Sequence, residues 1–300
     1  MAEIHPFKAV RPTRDKAHLV ATRPLASYKK HILRAKLEQN PYTFIHIIHP
    51  EVDKTSKTKP NSRERFLSVK QRFEAFKEEG VIFQDEVPAI YIYRQTKRDG
   101  HEFTGVIAGA SIAEYEADKI KKHEATITSR EEMFTNYLEI VGFNAEPVLL
   151  SHEPSDAIED FLKNCTKARP EYEFSTTDCI KHELWVLDPE QTKTVQELFA
   201  AIPSLYIADG HHRSASSARL AEKMKGSPYR NPDFFLAFLI DERRMQILEF
   251  NRLVKTLNGH TTDSFLKALS DSFKVSPLGE ARNPQHEHEI TCCLKGSWYS

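Results

Sequence analysis

No surplus of charge marks this chain: 42 Lys and Arg stand against 43 Asp and Glu, a net charge of −1. That balance offers no global electrostatic footprint for nucleic acid or a membrane surface, so any polyanion must be bound locally. Cysteine is scarce as well. Cys165, Cys179, Cys292 and Cys293 show no C-x-x-C spacing, and the last two are adjacent, which suits neither an ordinary disulfide pairing nor a zinc knuckle. Reduced thiols in a cytoplasmic protein are therefore expected. Met1 to Pro6 holds no apolar signal core, and no later segment approaches the roughly 20 apolar residues that a membrane span needs. A basic recognition helix for DNA is also missing. What remains is an ordinary globular composition of 300 residues, 40% hydrophobic and 28% charged, long enough for roughly two domains.

One stretch carries recognisable chemistry: Leu205-Tyr206-Ile207-Ala208-Asp209-Gly210-His211-His212-Arg213-Ser214-Ala215-Ser216-Ser217. An apolar run ends in Asp-Gly, a turn signal, and small helix-compatible residues follow, which predicts strand, tight turn and helix. A helix opening there points its unpaired backbone N–H groups and the positive end of its dipole into the turn, and Arg213 adds a planar fork of donors. Such a turn suits an anion, most naturally a phosphate. A solvated Asp-Gly turn with two histidines and no ligand fits the same residues.

The rest of the chain reads as scaffold with a few candidate positions. Residues 4 to 23 are extended. Tyr28 to Gln39 has a helical period that stops at Asn40-Pro41, and Tyr42 to Pro50 reads as a strand. His46 and His49, three apart on a strand, would face opposite sides and share no metal. Asp53 to Ser62 is a polar, Lys-rich loop. Arg65 to Glu79 is an amphipathic helix with a core stripe of Phe66, Val69, Phe73 and Phe76, capped near Gly80. A hairpin turning at Asp99-Gly100 joins strands at Ala89 to Arg94 and Thr104 to Ala110, so residues 1–115 make an α+β unit. His123 and Glu124 lie just before a helix capped by Thr128 or Ser129, with Glu131 and Glu132 in its first turn; beside Lys121 and Lys122 they also read as a solvated charge pair. Val148 to Leu150 is a strand and Asp156 to Cys165 a helix. Strands at Tyr172 to Phe174 and His182 to Leu187 come next, with Trp185 in the core, then a helix opened by Asp188-Pro189. Ala215, Ala218 and Ala221 let the helix after Gly210 pack closely. Phe234 to Ile240 reads as a strand buried on both faces, Met245 to Arg252 as its antiparallel partner, Thr262 to Phe273 as a helix and Glu289 to Leu294 as a last strand. His286 and His288 are solvated, and Trp298-Tyr299 is an uncovered aromatic end.

The string Asp209-Gly210-His211-His212-Arg213 after an apolar strand resembles the DUF1015 family, which includes proteins described as free serine kinases, and the Gly-x-x-Arg phosphate loop of ParB and sulfiredoxin. Asn40-Pro41-Tyr42-x-Phe44-x-His46, Tyr91-x-Tyr93-Arg94-Gln95 and His123-Glu124-x-Thr126 extend the resemblance to DUF1015. Where family members often place Asp-Arg shortly after that threonine, this chain has Ser129-Arg130-Glu131-Glu132. The resemblance implies an α+β fold in which a smaller α+β domain, 1–115, precedes a ParB/sulfiredoxin-like mixed domain at 116–258. Residues 259–300 would begin a C-terminal segment, so a truncated member is expected.

It also implies a kinase acting on free serine, with ATP, ADP or polyphosphate as donor and Mg²⁺ as cofactor. Backbone groups from Gly210 to Ser214, with Arg213 and His211 or His212, would hold the donor's phosphates, and Glu124 would be the general base on the serine hydroxyl. His123 would orient Glu124 or touch phosphate. Asp209 would either help hold Mg²⁺ or fix the turn. The competing expectation is a nucleotide-binding regulator or adaptor of ParB type; a sulfiredoxin-like reductase would want a cysteine where His211 and His212 stand. Neither nucleic acid nor a membrane is an expected partner, and the oligomeric state is left open.

Overall fold

Alternating and continuous apolar runs from both halves of the sequence meet in one mixed sheet. The computed structural model describes residues 2–50, 58–226, 233–247 and 251–300, and they divide into two units, Met1–Met245 and Gln246–Ser300. Nine strands of the first unit form the sheet: β1 (Ile4–His5), β2 (Tyr91–Thr96), β3 (Glu102–Ser111), β4 (Ile120–Lys121), β5 (Val148–His152), β6 (Tyr172–Ser175), β7 (Lys181–Val186), β8 (Leu205–Asp209) and β9 (Phe234–Asp241). Their order is β4-β8-β5-β9-β3-β2-β7-β6, with β1 paired to β3. The β4–β8 and β5–β9 pairs are parallel; the others are antiparallel. Strands on both sides of 115/116 thus share one sheet. The architecture is mixed α+β, with ten α-helices among the described residues.

Five helices position the site: α1 (Arg63–Glu78), α2 (Thr128–Val141), α3 (Asp156–Cys165), α4 (Pro189–Ala200) and α5 (His211–Lys223). Local chemistry starts several of them. Ser62 accepts from the Arg65 N–H at the head of α1, Ser155 caps α3, and Asp188 and Gln191 form a reciprocal capping box with Pro189 at the first turn of α4; each such cap satisfies N–H groups the helix leaves unpaired. One sheet face, with Ile92, Val106, Leu150, Ile207 and Leu239, packs against Ile158, Leu162, Val195 and Phe199 of α3 and α4. A second core joins Phe66, Val69, Phe73 and Phe76 of α1 to Val141 of α2, so the expected aromatic stripe is core. Trp185 is buried too, its indole N–H donating to the Ala168 carbonyl at 2.8 Å. On α5 the buried small residues are chiefly Ser214, Ser216 and Ser217, with Ala218. They let α5 approach α2, where Thr135 donates to the Ser216 carbonyl at 3.3 Å.

Several local readings are corrected. Ile45–Ile48 is a short helix, not a strand. Its β-branched residues favour a strand, but the Asn40 side chain accepts from Tyr42 N–H at 3.0 Å and donates to the Leu19 carbonyl at 2.7 Å, and Ile45 and Ile47 are fully buried. Tertiary packing overrides propensity here. The α2 N-cap is Ile127, without a side-chain bond; instead the Thr126 hydroxyl donates to Glu131. β9 is central, between β5 and β3, yet only one face is buried throughout, because Phe234, Leu236 and Phe238 are half-buried. The strand expected over Met245 to Arg252 is absent at residues 245–247 and 251–252, and Leu248 to Phe250 lie outside the described residues.

In the second unit, Cys292–Leu294 and Pro277–Leu278 flank Ser297–Tyr299 in a three-stranded sheet, so Trp298 and Tyr299 are half-buried strand residues rather than an uncovered end. Its helix spans Thr262–Ser270, and His286 and His288 are exposed. All four cysteines are free. No helix among the described residues is long and apolar enough to cross a membrane.

Gly105 marks the closest approach in the sheet. A Cβ there would lie 2.3 Å from the Leu239 carbonyl oxygen and 2.7 Å from the Phe238 ring. Because the first of these is backbone, relief requires β3 and β9 to separate, and overpacking of this kind costs about 1–3 kcal/mol or more. Gly105→Ala is expected to lower the urea midpoint accordingly; an unchanged midpoint would show that the sheet adjusts freely.

Candidate phosphate-binding site

The predicted strand, turn and helix are β8, Gly210 and α5. Gly210 is the N-cap, with φ 105° and ψ 25°, a left-handed conformation that suits glycine. A Cβ there would also meet the Val148 Cα at 3.3 Å and the Arg213 guanidinium carbon at 3.2 Å. The turn is thus tight because backbone from β5 and the arginine fork close over it. The first intrahelical bond runs from Ser214 N–H to the Gly210 carbonyl at 3.0 Å, so the N–H groups of His211, His212 and Arg213 precede it and lack intrahelical acceptors.

The second half of the site arrives through β4. In the parallel β4–β8 pair, Ile120 stands opposite Leu205 and Lys121 opposite Tyr206, so both segments leave the sheet at the same end. His123 and Glu124 therefore come up beside the Gly210 turn. The His123 N–H donates to His211 Nε2 at 3.4 Å, their rings cross at 84° with centroids 4.4 Å apart, and His211 Nδ1 lies 3.7 Å from Glu124 Oε2. With Nε2 accepting, the ring proton of neutral His211 sits on Nδ1, facing the carboxylate. The two side chains differ sharply in access: His211 is 5% exposed and Glu124 66%. The Glu124 carboxylate is open to solvent, and His211 lies buried behind it.

Burial, reinforced by nearby His123, lowers the His211 pKa against the opposite pull of Glu124 and Asp209. Burial likewise lowers those of His49 and His182. In each case the unfolded chain takes up a proton near pH 6.5 that the fold resists. Stability is then full above that pH and declines as pH falls through 6.5 toward the depressed values. The urea midpoint is expected to be lower at pH 5.5 than at pH 7.5, with a smaller difference in His211→Gln.

Arg213 does not stand free. Its fork donates to the Asp209 carboxylate and to the Pro147 carbonyl, and Glu146 lies 3.8 Å away. Asp209 and Glu146 are 70% and 74% exposed, so these pairings are solvent-screened. His212 is half-buried, and its Nδ1 is buried with no hydrogen-bond partner. Ser214 is fully buried and donates to the His211 carbonyl at 3.0 Å. Its hydroxyl therefore belongs to the helix interior, and its backbone N–H is already taken.

Comparison with known proteins adds one finding. The model of a family described as "Protein of unknown function (DUF1015)" matches residues 4–300. The chain belongs to the DUF1015 family. No curated protein and no solved structure matches it.

In this DUF1015 chain the structure brings together His123, Glu124, Asp209, Gly210, His211 and Arg213, places His212 on the same turn and turns the Ser214 side chain inward. Among the described residues no group of three or more His, Cys, Asp or Glu is placed to hold a metal ion. Asp209, paired with Arg213, is the carboxylate on the loop, and a Mg²⁺ already carried by phosphates would ask the protein for only one or two such groups. Sequence reasoning passed over Glu146 and Pro147, which precede a strand without any motif. It also passed over Tyr115, which carries Lys122 Nζ 4.1 Å above its ring.

Proposed function

We propose that this chain is a small-molecule kinase that transfers a phosphoryl group from ATP, ADP or polyphosphate to the hydroxyl of free L-serine, giving O-phosphoserine. One observation carries the reading: the exposed Glu124 carboxylate stands 3.7 Å from buried His211 at the mouth of a helix N-terminus that also presents Arg213. A base and an anion cradle thus share one opening. The donor's phosphates lie on the N–H groups of His211 to Arg213 and on the Arg213 fork, in place of Asp209 and Glu146. Glu124 takes the hydroxyl proton as the serine oxygen bonds to the terminal phosphorus, and the bond from that phosphorus to the leaving phosphate oxygen breaks. The neutral His211 Nδ1–H faces the Glu124 carboxylate from 3.7 Å, close enough to donate to it when the acceptor closes the opening. Asp209, with the donor's phosphates, would hold Mg²⁺, which would supply charge neutralisation when bound.

The same reading takes β4, β8 and α5 as a ParB/sulfiredoxin-like unit in a cytoplasmic enzyme. The test is to incubate the protein with Mg²⁺, each of the three donors and a panel of small hydroxyl acceptors, following products by mass. O-phosphoserine is the expected product. No phosphorylated acceptor from any donor would overturn the kinase reading, and donor binding without turnover would assign the loop to a nucleotide-binding regulator instead.

A further inference from the structure

A cleft of about 530 Å³ has Arg213 and Glu146 in its wall and lies within the first unit. It is within the usual size range of small-molecule sites. Phe44, Phe134, Tyr137 and Phe143 line much of the rest, with Arg23 as a second cation. Two of these residues have unused polar groups. The Arg23 Nε is buried without a hydrogen-bond partner, and the Tyr137 hydroxyl, whose pKa burial raises, makes no hydrogen bond among the described residues. A bare polyphosphate would leave the aromatic wall unused, since it asks for cations and N–H groups along its whole length. Free serine is too small and polar for it. A ligand that is aromatic at one end and anionic at the other uses both the rings and Arg213.

The geometry points to this cleft as the seat of the base and ribose of a nucleoside diphosphate or triphosphate whose phosphates reach Arg213, an inference that rests on the Gly210 to Arg213 turn being a phosphate cradle. It selects nucleotides over polyphosphate as donor. The base packs on the aromatic wall, Arg23 and Tyr137 offer donors to its polar edge or to the ribose, and exposed Glu146, released from Arg213, accepts from ribose hydroxyls.

Calorimetric titration of the full chain with ADP, pyrophosphate and adenosine tests this. ADP should bind at least about ten-fold tighter than pyrophosphate, and Phe134→Ala should weaken ADP by about ten-fold, the range of losing one ring stack, while leaving pyrophosphate unchanged. Phe134→Leu, which keeps most of the volume, serves as the folding control and should resemble Phe134→Ala in binding. Equal affinities for ADP and pyrophosphate, or ADP binding untouched in both variants, would overturn the assignment. If pyrophosphate binds and adenosine neither binds nor competes with ADP, the cradle stands and the cleft assignment falls. If adenosine binds the parent but not Phe134→Ala, and pyrophosphate does not bind at all, the cleft assignment stands and the phosphate cradle falls.

Discussion

Replacing Glu124 by glutamine is expected to lower serine phosphorylation by roughly 100- to 10,000-fold, the usual contribution of a positioned general base, while donor affinity stays within a factor of two or three of the parent. The substitution keeps the shape of the side chain and removes only its capacity to take a proton. Glutamine keeps an oxygen facing His211 Nδ1 at the same 3.7 Å, so the turn should hold its form. Titration calorimetry for the donor and a coupled assay for turnover separate the two effects. If turnover survives, the hydroxyl proton goes elsewhere and Glu124 is no more than a neighbour of His211. A parallel loss of donor affinity would mean instead that the carboxylate shapes the cradle.

Arg213→Ala should weaken donor binding by about 10- to 100-fold, the range expected for losing charge-assisted hydrogen bonds. Two causes act together. The fork that would hold phosphate disappears, and Asp209, which Arg213 neutralises, is left as an uncompensated anion where the phosphates would sit. Removing that anion as well, in an Asp209→Asn and Arg213→Ala double variant, should recover part of the loss when the donor is titrated without Mg²⁺, and the cycle measures how strongly the pair is coupled. Arg213→Lys should recover charge without the planar fork and so bind donor at an intermediate level. Unchanged donor affinity in Arg213→Ala would remove the ground for a phosphate cradle on this turn.

Legibility in the sequence followed the range of the interaction that decides each feature. The helices α1, α3 and α4 could be read because their caps and apolar periods lie within a turn or two of chain: Ser62 before α1, Ser155 before α3, Asp188-Pro189 with Gln191 for α4. The same holds for the β8–Gly210–α5 unit, whose Asp-Gly turn and small residues announce it. Ile45–Ile48 was misread because its β-branched residues carry one local message and the Asn40 turn and core carry another. The two-residue β4 is too short to show any alternation, so nothing local says that it pairs with β8. Yet that pairing sets His123 and Glu124 beside the turn. The Asp209 to Arg213 contact closes across the single-glycine turn between β8 and α5, within four residues of chain, and so was legible in principle. The contacts of Arg213 with Glu146 and Pro147 depend on how β5 enters the sheet and were not.

The parallel register of Ile120 with Leu205 and Lys121 with Tyr206 also says where this protein can change length. Everything between the two paired strands leaves the site and returns to it, so residues added at the exposed turn near Lys167 to Arg169, between α3 and β6, should leave the meeting of Glu124 and His211 untouched. A single residue inserted between Ile120 and His123 is another matter. Glu124 lies only three residues beyond the end of β4, so an added residue would move the carboxylate by up to about 3.5 Å along the chain and away from His211. Tolerance to insertion should therefore fall off abruptly at the ends of β4 and β8, even though β4 lies at the sheet's edge and looks like its most expendable strand.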